Sequence, residues 1–179
     1  MAGAVVQVYV PVTVAMLQQL VADGSLWPVN GTAFAVTPML REAYVEGDDD
    51  ELGEVALREA ALASLRLLAA DILDPEVAGK SAVALPLRRA VLAVEVDGVT
   101  YCPDLDDAAV RLGAPVTIDQ VVAAYVDTAG AEQVVTAAIA VIDAADLGDE
   151  DADLIVGDAQ DHDLAWYANQ ELPFLLDLL

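Results

Sequence analysis

The sequence predicts an α+β fold, a two-layer sandwich of a mixed, largely antiparallel sheet with helices. Along its 179 residues, short runs of β-branched side chains alternate with segments of helical periodicity, and the length suits one well-buried core. Asp97 and Gly98 lie between two such runs and are a strong signal for an antiparallel hairpin. That hairpin favours the sandwich over a doubly wound parallel sheet.

The first half of the chain is predicted to alternate strand and helix. Pro11 ends the first β-branched run, and Thr13 then supplies a side-chain oxygen that can cap a helix. Thr37 followed by Pro38 is a second helix start. The predicted elements are strands over residues 5–10 and 32–36 and helices over residues 14–22, 38–45 and 51–70.

The second half follows a linker that is predicted over residues 71–86, where proline and glycine interrupt the helical pattern. The predicted elements are strands over residues 88–96, 99–101, 109–112 and 122–126 and a helix over residues 131–145.

A short pattern occurs twice. Pro-Val-Thr and a β-branched residue stand at 11–14 and again at 115–118, each expected to open a helix, and Gln120 adds a capping box to the second copy. The repeat suggests two ferredoxin-like halves within one domain. The predicted division is a single domain over 1–179, with pseudo-repeat halves 1–73 and 87–145 and a C-terminal tail over 146–179 that packs back on the core.

Composition argues against several classes of partner. The chain has 31 acidic and 7 basic residues, a net charge of −24, so phosphate backbones and anionic lipid surfaces repel it. We therefore expect neither a nucleic-acid nor a membrane partner. Hydrophobic residues make up 57%, but no apolar run approaches the roughly 18 residues of a spanning helix. Cys102 is the single cysteine, which suits a cytoplasmic setting.

The acidic stretch after residue 143 offers the best candidate for a metal site. Asp158, Asp161 and His162 could supply carboxylate and imidazole ligands to a divalent ion. The alternative for these residues is a helix N-terminus, with Asp158 or Asp161 as the cap. A calcium loop beginning at Asp149 fails because Leu154 replaces the required glycine and the twelfth position is not glutamate, so a solvated loop is expected there.

Patterns for catalysis or cofactor binding are lacking. A Cys–His pair could only join Cys102 to His162, and none of the serines lies in a Gly-x-Ser-x-Gly turn. The glycine patterns that bind nucleotide phosphates are also absent. We therefore predict no catalytic residue and no cofactor.

The C-terminal segment is too apolar to remain in water. It either completes the core or docks on a second copy of the chain. The candidate interface residues are Trp166, Tyr167, Phe174 and Leu175.

Several phrases resemble a family of uncharacterised actinobacterial proteins of about this length. They stand at residues 8–11, 31–38, 146–151, 162–167 and 170–173. The resemblance implies an actinobacterial source and a cytoplasmic setting, but no activity, ligand or catalytic residue.

We predict a non-enzymatic cytoplasmic domain that acts through protein contacts or as a structural element, as a homodimer or with an unknown protein partner. The alternative is a small-molecule or divalent-metal-binding enzyme that uses the acidic cluster near His162.

Overall fold

A computed structural model of the chain describes residues 5–44, 46–73 and 86–178. The strands are β1 (Val6–Val12), β2 (Ser25–Leu26), β3 (Thr32–Phe34), β4 (Ala90–Val96), β5 (Thr100–Tyr101), β6 (Ala109–Arg111), β7 (Val116–Thr117), β8 (Val121–Val126) and β9 (Ala165–Ala168). The α-helices are α1 (Val14–Asp23), α2 (Pro38–Ala43), α3 (Asp49–Leu73), α4 (Glu132–Asp146), α5 (Glu150–Gln160) and α6 (Leu172–Leu178).

Within these residues, seven strands form one sheet in the order β5-β6-β3-β1-β4-β8-β9, and β2 pairs with β7 in a separate ribbon. The described strand pairings are antiparallel. The predicted α+β sandwich, an antiparallel sheet packed with helices, is confirmed. None of the described helices is long and apolar enough to cross a membrane.

Alternation along the central strands separates two packing faces. Val8 and Val10 of β1 point to the face that is covered by α1 and α6, where Leu17 and Leu172 are fully buried. Tyr9, between them, points to the opposite face, which α3 covers. Burying one such valine or leucine stabilises the fold by about 1.5–3 kcal/mol, so the sheet is held from both sides.

A further cluster lies away from the sheet, where α4 and α5 pack on the C-terminal half of α3. Its large buried side chains include Leu65 and Leu68 of α3, Val135 and Ile142 of α4, and Val156 of α5. The helix pair is thereby attached to the sheet through α3.

The predicted helix ends are confirmed where they depend on local chemistry. The Thr13 side chain accepts a hydrogen bond from the Met16 amide at 3.2 Å and caps α1. Gly24 ends the helix in the left-handed region at φ +79°, where glycine has no Cβ to clash. Thr37 caps α2 by accepting from the Leu40 amide at 3.0 Å.

The hairpin predicted at Asp97 and Gly98 is wrong. The chain does turn there, with Gly98 at φ +72°, but β4 pairs with β1 and β8 rather than with β5. Both edges of β4 are therefore occupied, and β5 pairs with β6 at the far end of the sheet.

Two boundaries also differ from the prediction. Strand β1 continues through Pro11 to Val12, because β3 pairs with β1 only at Tyr9 and Pro11 has one bonded neighbour strand. The predicted helix start at Thr117 is only a 3₁₀ turn over Ile118–Gln120. Its capping box with Gln120 is confirmed, but β8 begins at once because it pairs with β4.

Strands from the two predicted halves interleave in one sheet, since β6 lies beside β3 and β4 lies beside β1. The ferredoxin-like halves stay a prediction. Most of the predicted linker lies outside the described residues. The C-terminal segment packs on the core, because β9 pairs with β8 and α6 buries Leu172 and Leu175.

Candidate functional site

The predicted metal residues lie at the C-terminal end of a helix. Asp158 is in the last turn of α5, Asp161 is its C-terminal cap, and His162 follows. All three are exposed. Among the described residues, no three His, Cys, Asp or Glu side chains gather closely enough to hold a metal ion.

Two expectations for this stretch are wrong. A solvated loop was expected at residue 149 and a helix start near residue 158. Helix α5 occupies both positions, because it begins at Glu150 and ends at Gln160. Asp149 is its N-terminal cap and accepts from the Ala152 amide at 2.9 Å. The following acids occupy the first turn, where the helix dipole favours negative charge.

His162 is tied to the fold through its backbone. The Arg89 Nη2 atom donates to the His162 carbonyl at 2.9 Å, and Arg89 Nη1 donates to Gln160 Oε1 at 3.0 Å. A cavity of about 80 Å³ borders these groups. Small-molecule pockets usually begin near about 300 Å³, so this cavity does not suit an organic ligand.

A much larger concavity lies on the α3 face of the sheet, and we call it the tyrosine cleft. Its volume is about 770 Å³. It is lined by Val5, Val6, Gln7, Tyr9, Val36, Arg41, Asp49, Asp50, Gly53, Glu54, Leu57, Tyr101 and Tyr125.

The floor of the tyrosine cleft includes two half-buried tyrosines on β1 and β8. The rings of Tyr9 and Tyr125 meet edge to face, with centroids 6.4 Å apart and planes inclined at 61°. The Tyr9 hydroxyl accepts a hydrogen bond from Gln7 Nε2 at 3.2 Å. Gly53 of α3 faces this hydroxyl, and a Cβ at residue 53 would lie 3.3 Å from it. Glycine here lets the helix approach the ring closely.

The walls of the tyrosine cleft are predominantly acidic. Three carboxylates line it, those of Asp49, Asp50 and Glu54, against one guanidinium, that of Arg41. Arg41 Nη1 lies 2.7 Å from Asp49 Oδ1, so its charge is already paired. Burial raises the pKa of Tyr9, and the nearby Tyr125 and Asp50 raise it further. The hydroxyl of Tyr9 therefore stays protonated at neutral pH.

A smaller hollow of about 200 Å³ adjoins the cleft and shares Tyr101 with it. Met39, Pro103 and Ala109 give it an almost wholly apolar lining. Thr37, beneath it, donates its hydroxyl hydrogen to the Asp107 carbonyl and so has no free donor to offer.

The predicted interface residues divide between core and surface. Leu175 is only 4% exposed and Tyr167 is half-buried, and both pack in the core beneath α1. Trp166 and Phe174 are 57% and 71% exposed. Only these two remain accessible to a partner.

Sequence reasoning missed the tyrosine cleft entirely. Tyr9, Tyr101 and Tyr125 belong to three strands that are far apart in the chain, and each fits its strand as an ordinary aromatic residue. The acids of α3 fit an ordinary helix start. No local signal joins the two groups, because the sheet order brings them together.

Comparison with known proteins identifies a family. A family model described as a family of unknown function (DUF6912) matches residues 6–176. No curated protein and no solved structure matches the chain. The predicted resemblance to a family without an assigned activity is confirmed, and nothing in these comparisons supports the enzymatic alternative.

Proposed function

The chain belongs to DUF6912, a family of unknown function, and we propose that it is a non-enzymatic protein-interaction domain that pairs with a second copy along β9. The observation that carries this proposal is the end position of β9. It pairs with β8 on one side and has no strand neighbour on the other among residues 5–44, 46–73 and 86–178.

Exposed sheet edges are commonly protected by a short strand, by lysine or proline, or by an inward-pointing charge. The strand Ala165–Ala168 is four residues long, has the sequence Ala-Trp-Tyr-Ala and carries no lysine, proline or charge. Its outer backbone groups can bond to another antiparallel strand. Two copies of β9 related by a two-fold axis would supply that strand to each other and continue the sheet across both chains.

Apolar side chains support pairing along this segment. Trp166 on β9 is 57% exposed, and Phe174 and Leu178 on α6 are 71% and 84% exposed. Tryptophan is among the residues that contribute most to protein interfaces. Their burial in a dimer would remove apolar surface from water and offset the cost of association.

Charge opposes pairing and makes it depend on salt. Each chain carries a net charge of −24, so two copies repel one another until the solution screens them. The Debye length falls from about 30 Å at 0.01 M salt to about 8 Å at 0.15 M. Because β9 itself carries no charge, added salt should strengthen the dimer.

The cytoplasmic setting and the actinobacterial source remain part of the proposal. A single cysteine, Cys102, leaves no internal disulfide to maintain, which suits a reducing compartment. The source is supported by a composition rich in alanine, valine and aspartate.

Sedimentation equilibrium at several protein and NaCl concentrations tests the pairing. We expect a monomer–dimer equilibrium that shifts toward the dimer as NaCl rises. The variant Trp166→Lys places a charge on the edge strand and should abolish the dimer. Leu105→Lys is a matched control, because Leu105 is 62% exposed and lies between β5 and β6, at the opposite end of the sheet from β9.

A wild-type chain that stays monomeric across micromolar concentrations and at high salt would contradict the proposal. So would equal loss of the dimer in the Trp166 and Leu105 variants, because the effect would then reflect added charge rather than the position of β9.

A further inference from the structure

We infer that the tyrosine cleft is a binding site for a small organic cation, an aliphatic amine with one or more ammonium groups. The cleft contains no residue of β9, although Tyr125 in the cleft stands opposite Trp166 of β9 in the sheet. The inference rests on the lining of the cleft and not on the pairing proposed above.

The size of the cleft suits a small molecule. Ligand pockets usually measure about 300–1,000 Å³ and combine apolar walls with a few convergent polar groups. The tyrosine cleft, at about 770 Å³, lies within that range. A small amine can enter such a concavity, whereas the flat surface of a protein partner cannot.

Aromatic rings supply the first half of the recognition. Tyr9 and Tyr125 are half-buried and held edge to face on the sheet, and Tyr101 is 51% exposed on β5. An ammonium group is attracted to the face of an aromatic ring, and its methylene chain can rest on the same surface. Tyr101, the most accessible of the three, is the ring that a variant can remove with the least disturbance.

Carboxylates supply the second half. Asp49 and Asp50 lie in the first turn of α3, where acids are favoured in any helix, so by themselves they mark no site. Here they stand with Glu54 in one concavity that also contains the tyrosine rings. Arg41 neutralises only Asp49. Asp50 and Glu54 therefore remain available to a positively charged guest.

The same groups discriminate between kinds of ligand. Anions are disfavoured because acids outnumber bases in the lining. A bare metal ion is disfavoured because no three acidic, histidine or cysteine side chains of the described residues converge. A cation with an apolar body uses both the rings and the carboxylates.

Isothermal titration calorimetry of the full chain with spermidine, putrescine and tetramethylammonium tests the inference. Titrations at about 0.15 M NaCl suppress long-range attraction to the acidic surface. We expect saturable binding of at least one of the three at one molecule per chain, and weaker binding as NaCl rises.

Matched pairs of variants separate the cleft from the general acidity of the chain. Asp50→Asn is compared with Asp151→Asn, because both acids are exposed in the first turn of a helix. Tyr101→Ala is compared with Tyr44→Ala, because Tyr44 is similarly exposed at 46% and does not line the cleft. The two cleft variants should weaken binding by about 3- to 10-fold and the two controls by less than about 2-fold.

Three results would overturn the inference. One is the absence of saturable binding for all three organic cations. Another is an equal loss of affinity in the cleft and control variants, or displacement of the bound cation by Mg²⁺ to the same extent in both sets. Either would show that the cation is held as a counterion of the acidic surface. The third is clearly tighter binding of a capped lysine peptide than of any amine, which would make the occupant a protein segment.

Discussion

The guanidinium of Arg89 and the carboxylate of Asp127 form a bidentate ion pair in the interior. Arg89 Nε lies 2.9 Å from Asp127 Oδ2, and Arg89 Nη2 lies 2.8 Å from Asp127 Oδ1. The two side chains are 1% and 0% exposed. Since Arg89 precedes β4 and Asp127 follows β8, the pair closes the ends of two neighbouring strands, while Gln160 and His162 accept the other bonds.

Replacing Arg89 by methionine should destabilise the protein severely. The substitution keeps much of the side-chain volume but leaves the Asp127 carboxylate buried without its partner, which typically costs about 3–5 kcal/mol. Urea denaturation followed by circular dichroism measures the loss. The double variant Arg89→Met with Asp127→Leu should recover part of it, because no buried charge remains unpaired. A single-variant loss below about 1 kcal/mol would contradict the reasoning.

Ser64 of α3 should contribute more to the free energy of unfolding than an ordinary helical serine. Its hydroxyl donates to the Val12 carbonyl at 2.7 Å and accepts from the Ala90 amide at 3.0 Å, so it ties the helix to β1 and β4. Ser64→Ala leaves both buried groups unsatisfied and should cost about 1–3 kcal/mol in urea denaturation.

Thr136→Ala is the matched control for Ser64. The Thr136 hydroxyl only bonds to the Glu132 carbonyl on the exposed side of its own helix, at 2.7 Å. We expect this variant to change the free energy of unfolding by less than about 0.5 kcal/mol. Similar losses in both variants would show that Ser64 contributes nothing special between helix and sheet.

Arg66 and Asp146 should produce a small pH-dependent stabilisation. The hydrogen bond from Arg66 lowers the pKa of Asp146 below its ordinary value, against the opposing effect of burial. A lowered folded-state pKa stabilises the fold above the ordinary carboxyl pKa, and this contribution is lost as pH falls through the lowered value.

Both side chains of that pair are nearly half exposed, so solvent screening limits the contribution to about 0.5 kcal/mol. NMR titration of Arg66→Gln should show the pKa of Asp146 rising toward its ordinary value. The stability difference from wild type should vanish in strong acid. An unchanged Asp146 titration in the variant would contradict the pairing.

Glu59 should have the opposite pH dependence. Burial raises its pKa, and the charge of Asp106 raises it further, while Arg66 and Arg58 act the other way. The folded state then holds the proton more tightly than the unfolded state, so stability falls as pH rises from the ordinary glutamate pKa through the raised one. Glu59→Gln should therefore raise the melting temperature at neutral pH.

The gain from Glu59→Gln should disappear at pH values where the carboxyl is protonated in both states. The exposed Glu42 on α2 offers a control, and Glu42→Gln should leave the melting temperature nearly unchanged. A lower melting temperature for Glu59→Gln at neutral pH would show that the carboxylate is favourable where it lies.

Helix α5 was not predicted because its apolar pattern is weak. Its buried face consists of Ala152, Val156 and Ala159, which recur at helical spacing. Two of the three are alanines, and dense acids surround them, so the apolar signal was too weak to separate a helix from a solvated loop. The acids themselves are compatible with a helix because they fill its first turn.

Interactions within a few residues were predictable from the chain. Thr13, Thr37 and Gln120 cap helical turns because each side chain reaches a backbone amide three positions away, and Gly24 tolerates positive φ because it has no Cβ. Composition set the acidic character, and the alternation of β-branched runs with helical segments indicated the α+β class. These features need no knowledge of what lies across the fold.

Contacts between distant segments were decided only by the folded arrangement. The turn at Gly98 does not lead to pairing of β4 with β5, because β1 and β8 already occupy both sides of β4. The same strand order brings Tyr9 beside Tyr125 and Arg89 beside Asp127. Backbone hydrogen bonding is nearly indifferent to sequence, so the choice of partner strand depends on which packing buries the most apolar surface with every charge matched. Buried surface and charge pairing are properties of the whole molecule, so no single stretch of the sequence determines them.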